Sequence, residues 1–192
     1  MSTLWSSRVE KLDQQWRSEG CKHYRKTIRD KIVELMKPNE EMLDVGCGNA
    51  VLYEHLPPEL RHAYTGVDFT PEFIQLCRTR FPEGNWKVEE ATKLSFPDNH
   101  FFLVTSTTVL QHIQDWKKAA SELVRVSKKY VVSNCRSHWG KTDIVSTRPV
   151  LRRRFNPQDI IGFYSEHGKV TLHWMRDSQG QRTLAMYVLQ LE

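Results

Sequence analysis

Apolar residues recur along this chain with two periods, and the period switches several times. Between residues 7 and 36, Val9, Leu12 and Trp16, then Ile28, Ile32, Val33 and Met36, stand among charges at helical spacing. They predict two amphipathic helices broken around Gly20, with Pro38 ending the second. A first strand follows at 41–45, then a short helix at 51–56 stopped by Pro57-Pro58, and a second strand at 63–67. Thr70-Pro71-Glu72 is a helix start, Thr at the N-cap and Pro in the first turn, with the helix running to about Arg80. Strands at 86–89 and 101–106 come next, the latter opening on a continuous apolar run as a buried parallel strand does. A helix at 116–126 and a strand at 130–133 precede a helix opened by Asn156-Pro157 and closed by Gly168. Two final strands, 170–175 and 184–191, are joined across Asp177-Ser178-Gln179-Gly180 as a hairpin. Strands alternating with helices and ending in a hairpin predict an α/β fold. It is a doubly wound, Rossmann-like sheet of about seven strands, with helices on both faces and the last strand antiparallel.

The chemistry concentrates where the first strand ends, at Asp44-Val45-Gly46-Cys47-Gly48-Asn49-Ala50, with Asp68 closing the second strand twenty residues beyond Gly48. Glycines let the backbone approach a ligand without a Cβ in the way, and a carboxylate accepts two hydrogen bonds from ribose hydroxyls. This is how α/β proteins hold an adenosine-bearing cofactor. A dinucleotide fingerprint G-x-G-x-x-G requires glycine at 51, where Val51 stands, so a nicotinamide cofactor is disfavoured. Cys47 reads as a small packing residue in the turn rather than a nucleophile.

The order Asp44-x-Gly46-x-Gly48-x-Ala50 resembles motif I of the class I S-adenosylmethionine-dependent methyltransferases, of the methyltransferase type 11 kind, with Ala50 in place of the third glycine. Three further segments resemble that family in order. Tyr64-Thr-Gly-Val-Asp68-Phe69 matches its second motif, which implies that Asp68 takes the ribose and Phe69 lines the adenine. Glu90-Ala91-Thr92-Lys-Leu94-Ser-Phe96-Pro97-Asp98 resembles D-A-x-x-L-P-F, whose acid or backbone reads the adenine amino group; Glu90 stands where Asp is usual. The stretch 101–113, with Thr107, resembles the fourth-strand motif that borders the methyl group, Phe102 standing where an aspartate is common. The resemblance covers residues 40–192. It implies S-adenosylmethionine as cofactor and S-adenosylhomocysteine as product, held by Asp44, Gly46, Cys47, Gly48, Asn49, Asp68, Phe69, Glu90, Ala91, Thr92 and Thr107, with no metal. Asp44, behind the turn, is expected to orient turn amides or a water near the methionine end rather than to ligate directly. Tyr24 and Arg25 read either as a grip on the methionine carboxylate or as the polar face of a helix. His112 reads either as a general base toward the acceptor or as a structural histidine capping its loop.

At 192 residues and 39% apolar, the chain builds one full-sized core. We expect a single globular unit, with an N-terminal helical lid over 1–38 and the methyltransferase domain over 39–192. No apolar stretch reaches a membrane span, and the first residues lack a secretory pattern, so the expected compartment is cytoplasmic. Cys21, Cys47, Cys77 and Cys135 form no C-x-x-C pair, so neither a zinc site nor a disulfide framework is expected. A net charge of +5 and a pI near 9.0 are moderately basic. Arg152-Arg153-Arg154, with Lys141 and Arg148 nearby, reads either as a site for phosphate or carboxylate or as a solvated loop. Ser106-Thr107-Thr108-Val109 is not the N/D-P-P-Y/F loop of exocyclic base amine methylation, and no Pro-Cys pair supports cytosine C5 chemistry. The expected acceptor is a small molecule methylated at N, O or a carboxylate. RNA comes second because of the charge, and a non-catalytic S-adenosylmethionine-binding regulator third. Oligomeric state stays open.

Overall fold

The computed structural model of the 192-residue chain describes residues 8–17, 22–147, 150–176 and 182–192, with backbone alone at 22, 23, 182 and 183. Its helices are α1 (Val9–Arg17), α2 (Lys22–Leu35), α3 (Val51–His55), α4 (Pro58–Arg61), α5 (Pro71–Arg80), α6 (Trp116–Arg125) and α7 (Pro157–Ser165). Its strands are β1 (Met42–Val45), β2 (Tyr64–Asp68), β3 (Asn85–Val88), β4 (Phe101–Thr107), β5 (Ser127–Arg136), β6 (Asp143–Ser146), β7 (Arg152–Arg154), β8 (Gly168–Arg176) and β9 (Arg182–Leu191). The expected break at Gly20, Arg148, and the 177–180 hairpin loop lie outside the described residues.

Seven strands form one sheet in the order β3-β2-β1-β4-β5-β9-β8. The pairs from β3 to β5 are parallel, while β9 runs antiparallel to both β5 and β8. The last strand is therefore the antiparallel one. Met42-Leu43-Asp44-Val45 and Tyr64–Asp68 are buried throughout, as strands covered on both faces must be. One face packs Leu43, Val104 and Val131 against Ala120 and Leu123 of α6 and Ile160 and Tyr164 of α7. The other packs Met42, Leu103 and Val132 against Ile28 and Ile32 of α2, Tyr53 of α3 and Ile74 of α5. Helix α2 is thus part of the main core.

Register brings the site together. Asp44 pairs with Gly66 on β2 and Thr105 on β4, and Thr107 pairs with Asn134 on β5. The carboxyl ends of β1, β2, β4 and β5 consequently open on one edge, where ligands bind in doubly wound sheets.

Three local features differ from the sequence expectation. Strand β5 spans ten residues rather than four, its ends held by pairing with β4 and β9. The two-stranded sheet β6-β7 is unannounced in the sequence, because its strands are only four and three residues long and their apolar residues, Ile144 and Val145, are adjacent and exposed rather than alternating with polar ones. It is tied down by Phe155, whose N–H donates to the Arg136 carbonyl at 3.0 Å and whose carbonyl accepts from His138 at 2.9 Å. The Phe155 ring is fully buried and meets Trp116 edge-on at 5.2 Å. Finally, Thr70 occupies the N-cap of α5, but its hydroxyl has no partner; Asp68 Oδ1 accepts the Thr70 N–H at 2.9 Å instead.

Candidate functional site

The β1–α3 turn is shaped by close approach. Gly46 has φ +78°, and a Cβ there would lie 2.2 Å from Cγ2 of Val109 on the loop after β4. Gly48 has φ +54°, and its Cβ would lie 2.7 Å from the Trp16 ring. Ala50, in the place of the third glycine, also takes a left-handed conformation, at φ 60°. The Gly46 and Cys47 amides donate to the Val67 carbonyl at 2.8 and 2.9 Å, locking the turn to the end of β2. Cys47 is buried, and burial pushes its thiol well above the ordinary range, as a packing residue requires.

Two carboxylates flank this turn. Asp68 Oδ2 accepts the Gly48 N–H at 3.1 Å while Oδ1 takes the Thr70 amide, so both oxygens are oriented and each keeps a lone pair. Asp44 Oδ2 accepts the Tyr64 hydroxyl at 2.5 Å, and its buried Oδ1 has no partner. Burial raises the Asp44 pKa to about 7, against the lowering effect of Tyr64, with a further upward push from Asp68 and a small downward one from Arg25. Asp68 is also raised by burial.

Helix α1 lies over the turn. The Trp16 ring contacts Gly48 and stacks on Phe73 of α5, with centroids 5.3 Å apart. One helical turn earlier, the Asp13 carboxylate receives Arg80 as a bidentate pair at 2.9 and 3.0 Å and Asn49 Nδ2 at 2.7 Å. Those donors, Arg80 first, hold its pKa down at about 2. Arg25 of α2 donates to the Trp16 carbonyl, and Arg17 pairs with Glu54 at 2.5 Å. What remains beneath is a cavity of about 60 Å³. It is lined by Trp16, Tyr24, Arg25, Asp44 and the glycine turn, and reaches Thr107 and Thr108. Drug-sized and cofactor pockets start at roughly 300 Å³. An adenosyl ligand is therefore larger than the cavity that α1, α2 and the glycine turn leave between them.

Of the residues singled out in the sequence, Tyr24, Arg25, Asp44, Gly46, Cys47, Gly48 and Thr107 line this cavity. Asn49 is buried and spent on Asp13, and Asp68 is joined to the turn through Gly48. Phe69 is 39% exposed at the end of β2. Glu90 is exposed and accepts from the Thr92 hydroxyl at 2.9 Å, while Ala91 packs on the core. Those three sit beyond β3, outside the cavity. Phe102 is buried edge-on against Tyr130 at 5.6 Å, an apolar contact in the place of the usual aspartate.

His112 belongs to a short 3-10 turn, Leu110–His112, also outside the cavity. Its Nδ1 lies 2.6 Å from the Leu151 carbonyl, so Nδ1 carries the proton, and its Nε2 lies 3.2 Å from the Gln111 amide nitrogen. Burial first, then Arg152 and Arg136, hold its pKa below the ordinary histidine value. Sequence reasoning missed Asp13, Arg80 and Val109; no local signal marks them, since each acts through a partner remote in the chain. Among the described residues no three His, Cys, Asp or Glu side chains gather as metal ligands, and no helix is long and apolar enough to cross a membrane.

An open parallel sheet, a glycine turn after β1 and a carboxylate ending β2 define the class of Rossmann-like proteins that bind adenosine-bearing cofactors. Residues 43–131 match the family model described as a methyltransferase domain. That stretch, under half of the chain, is similar to the methyltransferase domain family. The chain is 30% identical over 99 residues to the 2-methyl-6-phytyl-1,4-hydroquinone methyltransferase of Synechocystis, covering 50% of this chain and 31% of that protein. It is 31% identical over 127 residues to the demethylmenaquinone methyltransferase of Listeria welshimeri, covering 62% of this chain and 49% of that one. The chain thus spans about a third to a half of the length of these relatives. Its fold matches the Burkholderia thailandensis 1,6-didemethyltoxoflavin-N1-methyltransferase, solved with bound 1,6-didemethyltoxoflavin and S-adenosylhomocysteine, with a TM-score of 0.77 at 12% identity over 96% of this chain and 84% of that one.

Proposed function

We propose that this protein transfers the methyl group of S-adenosylmethionine to a small-molecule acceptor, in the cytoplasm, with α1 and the start of α2 as a lid over the cofactor. One observation carries the reading. A single cavity beside the glycine turn holds the Arg25 guanidinium and the Asp44 carboxylate, whose Oδ1 is buried without a partner. Those are opposite charges for the two ends of an amino acid, next to backbone that only glycine allows so close. Asp44 and Arg25 would hold the methionine portion and Asp68 the ribose. Phe69, with Glu90, Ala91 and Thr92 beyond β3, would face the adenine. Cys47, Cys77 and Cys135 are free thiols, in keeping with a reducing compartment.

When bound, the cofactor supplies a methyl group on a sulfonium, whose thioether leaves readily, so the protein's work is orientation and exclusion of water. The lid performs the exclusion, and Thr107 and Thr108 border the reacting end. His112 is neutral at neutral pH, but both ring nitrogens are engaged. It acts as a base only if the Gln111 amide turns away, and we assign it to positioning.

Calorimetry and methyl incorporation test the reading. S-adenosylhomocysteine should bind and NAD should not, and Arg25→Gln should weaken binding at least tenfold, as the loss of a charge-assisted hydrogen bond does. Labelled methyl should pass to a small acceptor in a panel that includes hydroquinones and amines, the classes named for the relatives and neighbour. Binding of NAD alone would overturn the cofactor; binding of S-adenosylhomocysteine with no transfer to any acceptor would leave a non-catalytic binding protein.

A further inference from the structure

The turn Leu110–His112 reaches two strands at once. Gln111 Oε1 accepts the Arg136 N–H at 2.8 Å, and His112 Nδ1 meets the carbonyl of Leu151, the residue before Arg152. Two arginines from β5 and β7 thereby start from backbone pinned to consecutive residues of one turn, and both bear electrostatically on the same imidazole. Both are exposed, and neither guanidinium has a carboxylate or carbonyl partner among the described residues.

Their neighbours are not like them. Arg153 is buried, donates to the Ile113 and Gln114 carbonyls at 2.8 and 3.2 Å, and lies over the Phe155 ring. Arg154 faces Asp143 at 3.5 Å. The three-arginine run thus divides into one residue unpaired among the described residues, one structural and one paired, and Arg136 acts on the same imidazole as the unpaired one. Two residues before Arg136, on the same face of β5, stands Asn134. Its Oδ1 accepts the Thr108 N–H at 3.2 Å, while its Nδ2 is buried with no partner. Asn134 is 1% exposed, and Thr108 lines the cavity at the glycine turn. A buried donor left unmade is costly, and two guanidiniums that bear on one imidazole with no carboxylate partner among the described residues add like charge to the same place. One oxyanion relieves both, since a guanidinium fork matches a carboxylate or phosphate and the amide supplies a neutral donor.

We propose that Arg136, Arg152 and the Asn134 side-chain amide form an acceptor subsite that takes the carboxylate or phosphate group of a small acidic molecule. This rests on the methyltransferase reading and names its acceptor class. Two charges and one amide suit a single oxyanion; a nucleic-acid backbone calls for a longer row of cations.

The test is a titration of the protein, with and without S-adenosylhomocysteine, by sodium phosphate and by sodium benzoate at constant ionic strength. The His112 imidazole is followed by NMR. One of the two anions should give a saturable shift and raise the His112 titration midpoint, because it offsets the two arginines; which one does so distinguishes phosphate from carboxylate. Arg136→Gln/Arg152→Gln should weaken that binding at least tenfold and leave the affinity for S-adenosylhomocysteine, measured on the same samples, unchanged. Absence of saturation with both anions, or equal titration in the double variant, would overturn the subsite. So would a ten-nucleotide RNA that binds more tightly than either anion with a steep salt dependence. Loss of S-adenosylhomocysteine binding in the unsubstituted protein sinks the methyltransferase reading instead, whatever the anions do.

Discussion

Gly46 and Ala50 show what one methyl group means in the same turn. Ala50 is fully buried at φ 60° and keeps its N–H bonded to the Cys47 carbonyl at 3.0 Å. A left-handed alanine costs about 1–2 kcal/mol, so the turn bears that conformation where the methyl has room. At Gly46 it has none, because Val109 already occupies the place. Gly46→Ala should therefore destabilise by about 3 kcal/mol in urea titration, the sum of strain and overpacking. Against a Val109→Ala background the same change should cost only the backbone share, about 1 kcal/mol, which a double-mutant cycle reads directly. Equal costs in the two backgrounds would show that conformation, not contact, requires the glycine. Asp44 sets a pH dependence at the same scale. Its folded pKa of about 7 lies above the ordinary 3.8, so the folded state holds a proton that the unfolded chain releases. Its contribution to stability is greatest below pH 4 and is lost as pH rises to about 7. Asp44→Asn keeps an acceptor for Tyr64 and should abolish this part of the decline between pH 4 and 7. In the unsubstituted protein, S-adenosylhomocysteine should bind more tightly as pH rises through 7, since the ionised carboxylate suits an ammonium group. An unchanged stability profile in Asp44→Asn would place the titration elsewhere.

At the scale of elements, α1 is held by charge rather than by a core. None of its residues is buried, and besides the Trp16 ring on Phe73 its attachment runs through Asp13 to Arg80 and Asn49 and through Arg17 to Glu54. Asp13→Asn removes the charge from that hub, where charge-assisted bonds contribute about 1.5–3 kcal/mol. Stopped-flow measurements should then show S-adenosylhomocysteine entering and leaving about tenfold faster, with hydrogen exchange across residues 9–17 accelerated. Unchanged rates would mean that α1 does not gate the cavity. Elements differ in how plainly they announce themselves. Asn156 and Asp115 cap α7 and α6 through their own side chains, accepting the Gln158 and Lys118 amides, as their residue types suggest. Thr70 marks the start of α5 correctly but leaves the hydrogen bond to Asp68, because the site has already brought that carboxylate to the end of β2. The β6-β7 pair escaped the sequence for the opposite reason: short exposed strands, with Ile144 and Val145 side by side, have no alternation to read.

Across the whole molecule, the α/β alternation, the seven-stranded sheet with its antiparallel last strand, and the glycine turn with Asp68 were legible in the sequence. Each is a local signal: a buried apolar run, a helix start, a turn that demands glycine, a carboxylate one strand-helix-strand unit away. The cavity was legible in part: Asp44, the turn and Thr107 follow from resemblance to a family whose turn and strands are built alike, while Tyr24 and Arg25 were read from the N-terminal helix only as one of two alternatives. Its closure was not. Asp13 meets Arg80 across 67 positions and Asn49 across 36, and Arg153 reaches Ile113 across 40. Such pairs have no period and no fixed spacing, so nothing in the chain order distinguishes Asp13 from any solvated acid, or Arg152 and Arg136 from the paired cations around them. Local pattern determines which segments become strands and helices, since each must bury its own apolar face. Only their packing decides which charges are left facing one another, and with that what lies over the glycine turn and which arginines face no carboxylate among the described residues.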